Sequence, residues 1–205
     1  MNTIFNSISK FSAELDSASI RPRELLLWMI SNNLQFSWHP LGFAVCKLLT
    51  EGNISLRVHL WPNHTNYQQL PYFPIHDHLF ELKSWVLSGA IENYEYNIDC
   101  DGDEYSIYDV SYNDKISTVK KSEHRCSLAL VNRAVFFEGS SYNVSARTFH
   151  KSSSVYDGVS LTVCQTENMA TTPPRVLGYK NGGAQYSYNR IIVEQSEIKR
   201  LIELI

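Results

Sequence analysis

The chain has 205 residues, which suit one domain with its own core and leave little room for a second. Its formal net charge is −3 and no lysine- or arginine-rich run occurs, so we expect no nucleic-acid partner. No stretch approaches the ~18 consecutive apolar residues of a membrane-spanning helix, so we expect no membrane segment. An aromatic content of 12% with only 19% charged residues favours β-strands.

The N-terminal residues lack the basic start and apolar run of a signal peptide, which predicts a cytoplasmic protein. The four cysteines are widely spaced and form no C-x-x-C pair. This spacing argues against a disulfide framework or a zinc knuckle and predicts free thiols. The cysteines are Cys46, Cys100, Cys126 and Cys164.

Most of the first fifty residues are predicted to be helical. Apolar residues recur every three to four positions from Ile4 to Leu15, and Pro22 suits the first turn of a second helix. We expect residues 1–40 to form a helical segment that packs on a barrel. That barrel, with a C-terminal helix, is expected to take up residues 41–205, and the two parts together form one domain.

From residue 41 onward the apolar period changes from 3.6 to 2. In residues 54–61, apolar side chains alternate with others that include Arg57 and His59, the pattern of a half-buried strand. Turn signals separate further candidate strands, and many short strands of this kind predict a β-sandwich or barrel. These candidates lie at 74–79, 82–88, 90–98, 104–112, 126–137, 141–150 and 158–166.

The C-terminal tail shows mixed signals. Its first part contains proline and a glycine pair and is predicted to be a loop with a short strand. The last fifteen residues are predicted to form an amphipathic helix on the outside of the barrel.

Three histidines are candidate metal ligands. His76 and His78 are two residues apart, so on a strand both imidazoles point to the same face and can share one metal. His150 follows on a late candidate strand, where the small residues Ala146 and Thr148 on the same face leave room for a ligand. The sequence therefore predicts a metal site formed by His76, His78 and His150.

Other residues are candidates for substrate contacts. Arg57 is the best candidate for holding a substrate carboxylate, because a guanidinium group matches a carboxylate in shape and charge. His59 shares its strand face and is expected to line the same pocket. Tyrosine hydroxyls could contact the ligand or dioxygen, although packing is the commoner role of a strand tyrosine; these are Tyr72, Tyr94 and Tyr96. No role is assigned to His39, His64 and His124, and Lys83 is expected at the barrel rim.

Two segments resemble the motifs of the cupin family. Residues 74–96, PIHDHLFELKSWVLSGAIENYEY, resemble the first motif, which has His-x-His, an acidic residue and a glycine, here Gly89. Residues 142–153, YNVSARTFHKSS, resemble the second motif, which supplies the last histidine. The resemblance spans roughly residues 54–166. It implies a mainly β fold, a single jelly-roll barrel with N-terminal helices and a short C-terminal helix.

Ile-His-Asp-His is similar to the cysteine-dioxygenase-like cupins, which implies Fe(II) held by three histidines without a carboxylate. The chain departs from that pattern in several places. Glu81 comes only three residues after His78 and by parity faces away from the site. Lys83 stands where those enzymes have a crosslinked cysteine, and no histidine follows His150. The resemblance therefore does not imply that cysteine is the substrate.

These observations predict a non-haem Fe(II)-dependent, dioxygenase-type cupin that acts on a small polar, carboxylate-bearing molecule. Imidazole also binds Zn, Mn and Ni, so a non-oxidative metal-dependent isomerase or lyase is an alternative. A third alternative is a cupin that binds a small ligand without catalysis, since one barrel serves many functions. The N-terminal helices are expected either to cover the barrel or to form the face of a homodimer.

Overall fold

The computed structural model describes residues 7–63, 65–113, 115–168 and 172–205, so Ile4 and His64 lie outside the described residues. Within these ranges the protein is mainly β, with three helices and twelve strands. The helices are α1 (Ile8–Asp16), α2 (Pro22–Ser31) and α3 (Gln195–Glu203). The strands are β1 (Ser37–Trp38), β2 (Ala44–Glu51), β3 (Ile54–Pro62), β4 (Phe80–Ser88), β5 (Ala90–Asp99), β6 (Tyr105–Asn113), β7 (Ile116–Phe137), β8 (Ser141–Val144), β9 (Phe149–Ser154), β10 (Val159–Asn168), β11 (Arg175–Tyr179) and β12 (Gln185–Asn189).

The strands form two antiparallel sheets. The order in the first sheet is β1-β2-β3-β10-β4-β8, and in the second it is β11-β6-β7-β5-β9, with β12 paired to β7. Two antiparallel sheets that enclose one cavity, with two helices before the strands and one after them, match the jelly-roll architecture. The predicted fold class is confirmed.

The helices cover the outer face of the first sheet. Leu56, Val58 and Leu60 of β3 are fully buried there, in one apolar cluster with Phe11 of α1 and Leu201 of α3. Since successive strand residues point to opposite faces, the residues between them on β3 face inward. Packing of the helices therefore decides which face of β3 lines the interior.

The interior between the sheets holds a cavity of about 670 Å³. Arg57 and His59 of β3 line it from the first sheet, and Val110 of β6 and Val119 of β7 line it from the second. The alternation in residues 54–61 therefore predicted the inward face of β3 correctly.

Three of the predicted strands differ clearly from the structure. Residues 141–150 form two strands, β8 and β9, because the chain turns at residues 145–148: Arg147 has a φ of +67°, and the Thr148 N–H donates to the Ser145 carbonyl. The small residue Ala146 lies in this turn and does not share a strand face with His150. Residues 74–79 contribute only isolated bridges at His76.

The long strand β7 begins at Ile116, ten residues before the predicted strand. None of the helices in the described ranges is long and apolar enough to cross a membrane. All four cysteines are free thiols, as predicted; three are buried and Cys100 is exposed. The division of the chain at residue 40 stays a prediction, although β1 of the N-terminal segment pairs with β2.

Candidate metal centre

His76 joins the two end strands of the second sheet. Its N–H donates to the His150 carbonyl at 3.0 Å, and the His150 N–H donates back to the His76 carbonyl at 2.9 Å. His76 also forms a bridge with Val176 of β11. The backbone therefore places the imidazoles of His76 and His150 side by side at the end of the cavity.

Asp77 points to the opposite side of the chain from its two histidine neighbours. Its side chain is fully buried, and its Oδ2 lies 2.7 Å from Nη2 and 2.8 Å from Nε of Arg175. The Arg175 N–H donates to Oδ1 of Asp77 at 2.5 Å, and Nη1 of Arg147 lies 3.4 Å from Oδ2. These contacts fix the backbone between His76 and His78 and so fix the direction of both imidazoles.

The three predicted ligands come together. The ring centroids of His76, His78 and His150 form a nearly equilateral triangle with sides of 4.8, 4.6 and 4.7 Å. One ring nitrogen from each lies within 4.8 Å of the others, and Nε2 of His76 is 3.0 Å from Nε2 of His78. Parity along the chain therefore predicted correctly that His76 and His78 share a face.

Backbone carbonyls fix the tautomers of two of the rings. Nδ1 of His76 lies 2.9 Å from the Pro74 carbonyl, and Nδ1 of His150 lies 3.1 Å from the Thr148 carbonyl. Since a carbonyl oxygen only accepts, both Nδ1 atoms carry the proton and donate. Each Nε2 is left with a free lone pair, which is how histidines are oriented when they bind a metal.

His78 carries an unsatisfied polar atom. Its Nδ1 is buried and has no hydrogen-bond partner among the described residues. Its ring stacks on Phe80 with centroids 4.4 Å apart. A buried nitrogen without a partner is costly in a purely structural role, so the position of His78 requires another explanation.

All three imidazoles are neutral near neutral pH. Burial lowers the pKa of His76, lowers that of His78 well below its ordinary value, and lowers that of His150 to about 3. The neighbouring histidines add to the effect on His78 and His150. A neutral imidazole is the form that donates a lone pair to a metal.

A divalent metal fits this donor set. When two nitrogens bind one ion with metal–nitrogen distances of about 2.1 Å and a nitrogen–metal–nitrogen angle near a right angle, they lie about 3 Å apart. The Nε2 atoms of His76 and His78 have this separation. The three histidines form the group without a carboxylate among the described residues. Glu81 is exposed and accepts the Ala146 N–H at 3.1 Å, so its carboxylate is occupied away from the cavity.

Arg57 lines the cavity beside the histidines. Its Nε is buried and has no hydrogen-bond partner in the described part of the chain. Its guanidinium carbon lies 5.5 Å from the centroid of the Phe80 ring, which in turn stacks on His78. Arg57, which is predicted to bind a substrate carboxylate, is therefore separated from the candidate metal ligand His78 by one aromatic ring.

His59 lines the same cavity but stays outside the histidine triangle. Its Nδ1 lies 3.6 Å from Sγ of Cys164, and its ring packs near Phe43 and Trp61. Burial lowers the pKa of His59 to about 3, with a further contribution from Arg57. His59 is thus a neutral wall residue.

The three predicted tyrosines do not line the cavity, although all three are described residues. On β5, Tyr94 and Tyr96 pair with Lys151 and Phe149 of β9, whereas His150 lies between those two partners and faces the other way. The Tyr94 hydroxyl donates to Glu92 instead. Tyr72 lies between Pro71 and Phe73, which line the cavity, but is not part of the lining itself. The structure therefore places these three tyrosines outside the lining of this cavity.

Some cavity residues were missed by sequence reasoning. His39 was assigned no role, yet it lines the cavity and stacks on Phe43 with centroids 4.4 Å apart. Arg190 reaches the cavity from the C-terminal tail, and no local pattern marks it. Lys83 binds Asp16 at 2.6 Å and lies outside the cavity lining.

No protein-family model and no curated protein matches the chain. Among solved structures, the chain is similar to an oxalate oxidase, with 15% identity over 67% of this chain and 56% of that one, and a TM-score of 0.40. It is also similar to hydroxypropylphosphonic acid epoxidase from S. wedmorenis, with 10% identity over 65% of this chain and 55% of that one, and a TM-score of 0.38. The match thus spans little more than half the length of either protein.

Proposed function

We propose that this protein is a metal-dependent cupin enzyme in which His76, His78 and His150 hold Fe(II). The enzyme uses dioxygen to oxidise a small, carboxylate-bearing molecule bound in the cavity. One observation carries the proposal: three neutral imidazoles converge at one end of a cavity that is large enough for a small substrate. The backbone contacts that fix two of their tautomers support it.

Three neutral nitrogen ligands would leave the ion its two positive charges and open coordination positions for substrate and dioxygen. The protein's own residues then bind and orient the substrate. Arg57 offers an unpaired guanidinium to the carboxylate, close to His78. Phe43, Phe80 and Trp61 line the cavity with aromatic rings and exclude bulk water.

The test is anaerobic loading of the protein with Fe(II), followed by measurement of oxygen consumption over a panel of small thiols, amino acids and keto acids. We expect substrate-dependent oxygen uptake that the His150→Ala variant loses. The Arg57→Met variant should keep its iron and show a KM raised by about tenfold or more, because a charged hydrogen bond is lost.

Absence of uptake across the panel in iron-loaded protein would overturn the oxygenase proposal. Product formation that continues without oxygen would point to the non-oxidative alternative, because imidazole ligands serve zinc, manganese and nickel as well as iron. Variants are compared only after their melting temperatures confirm that they fold.

A further inference from the structure

The cavity wall carries more positive charge than its own residues neutralise. Arg57, Arg190 and Lys47 all line it. Among the described lining residues Asp77 is the one acid, and its carboxylate is already bound by Arg175. No other carboxylate on the described part of the wall balances the two arginines.

Arg57 has no ion-pair partner among the described residues. Its guanidinium group lies over the face of the Phe80 ring. Its buried Nε finds no acceptor within the described ranges. Burying a cationic donor without an acceptor is costly, so a group that is chemically complementary to Arg57 is expected to enter the cavity.

Arg190 is the second cavity arginine that forms no ion pair with another described residue. Its Nε lies 3.4 Å from the Ser117 hydroxyl, and its guanidinium carbon lies 5.5 Å from the centroid of the Tyr112 ring. Of the ion pairs formed by the described residues, none includes Arg57 or Arg190. Both arginines therefore offer free hydrogen-bond donors.

Both arginines line the same cavity, and the guanidinium group of each lies near an aromatic ring of the lining, Phe80 for Arg57 and Tyr112 for Arg190. Burial lowers the pKa of Arg57, and the charge on Arg190 lowers it further. A cavity of about 670 Å³ suits one small molecule, so a single ligand can meet both guanidinium groups.

Building on the proposed function, we infer that Arg57 and Arg190 form one anion subsite and that the substrate is a small dianion. Two guanidinium groups without carboxylate partners match two negative charges, supplied by a dicarboxylate or by a phosphoryl group. Both offer the paired oxygens that a guanidinium fork recognises. One end of the molecule lies at this subsite, and the rest reaches toward His78 past the Phe80 ring.

The test measures anion binding by calorimetry in Tris chloride, with succinate, inorganic phosphate and acetate as probes. The protein is first stripped with 1,10-phenanthroline, an uncharged chelator that does not compete for the arginines. We expect succinate or phosphate to bind at least about tenfold more tightly than acetate, because acetate carries half the charge. Whichever dianion binds more tightly identifies the dicarboxylate or the phosphoryl class.

Arg57→Met and Arg190→Met should each weaken binding of the preferred dianion by about tenfold or more. Arg125→Met is the matched control, because Arg125 pairs with Asp103 outside the cavity and its loss should leave binding unchanged. Equal binding of all three anions in the wild type, or unchanged binding in both cavity variants, would overturn the subsite. The wild-type comparison stands even if a variant fails to fold.

These experiments distinguish a refutation of the anion subsite from a refutation of the metal centre. Dianion binding by stripped protein does not depend on a metal, so it would persist if the histidines held none. Conversely, a protein that binds metal but prefers no dianion would refute the subsite alone.

Discussion

The fully buried carboxylate of Asp77 forms an ion pair with Arg175, whose side chain is 30% exposed, on the side of the chain opposite the histidine triangle. Nη2 of Arg175 is 2.7 Å and its Nε 2.8 Å from the same carboxylate oxygen, and its backbone N–H donates to the other oxygen. The Asp77 side chain has no exposed surface. The pair therefore fixes the two-residue spacing that aims His76 and His78 at the same point.

Replacing Asp77 with asparagine should destabilise the protein by about 1.5 to 3 kcal/mol, because the charged hydrogen bonds from Arg175 would be weakened while its 30% exposed side chain keeps part of its hydration. It should also weaken metal binding by at least about tenfold, since the residues that orient ligands influence affinity on that scale. Chemical denaturation and metal titration measure the two effects.

The matched control is Asp103→Asn. Asp103 also pairs with two cations, Arg125 and Lys180, but its side chain is 53% exposed. Exposed pairs contribute little, so stability should change far less than in Asp77→Asn, and metal binding should not change at all. Similar losses in both variants would contradict a special role for Asp77.

Glu81 tests whether a carboxylate belongs to the metal centre. Its side chain is exposed and accepts the Ala146 N–H, away from the histidines. The Glu81→Ala variant should therefore keep the metal content of the wild type, as measured by elemental mass spectrometry. Loss of the metal in this variant, with the fold intact, would show that the carboxylate moves in as a fourth ligand.

Gly89 connects β4 of the first sheet to β5 of the second with a φ of +76°, and a Cβ there would lie 3.0 Å from Cα of Ser160. Gly89→Ala should cost about 2 to 5 kcal/mol of unfolding free energy from backbone strain and overpacking together.

Gly52 provides the control for Gly89. It has a φ of +58° with nothing within 4 Å of the added Cβ, so Gly52→Ala adds strain without a clash. We expect Gly52→Ala to lower the free energy of unfolding by only about 1 kcal/mol. Denaturant unfolding compares the two variants, and equal losses would show that the contact with Ser160 is unimportant.

Local sequence patterns predicted much of the site. Alternation in residues 54–61 placed Arg57 and His59 on one face, and the cavity lies on that face. The two-residue spacing placed His76 and His78 together for the same reason. Both predictions depend only on the two-residue period of extended chain, which holds for the isolated bridges at His76 as well as for a full strand.

Other features depend on long-range packing that no local pattern records. Arg190 lies 40 residues after His150 in sequence, and the pairing of β12 with β7 brings it to the cavity. Tyr94 and Tyr96 lie outside the cavity lining, and the pairing register with β9 decides which face of β5 turns inward. The turn at Arg147 depends on a positive φ that an arginine rarely adopts.

Metal content by elemental mass spectrometry tests the central claim most directly. The wild type, His76→Ala and His59→Ala are purified without a histidine tag and reconstituted anaerobically with iron. We expect about one iron per chain in the wild type. The His59→Ala variant should bind the same amount, because the His59 imidazole lies outside the triangle, and His76→Ala should bind none. Wild-type protein that binds no metal, or iron that persists in His76→Ala, would contradict the central claim.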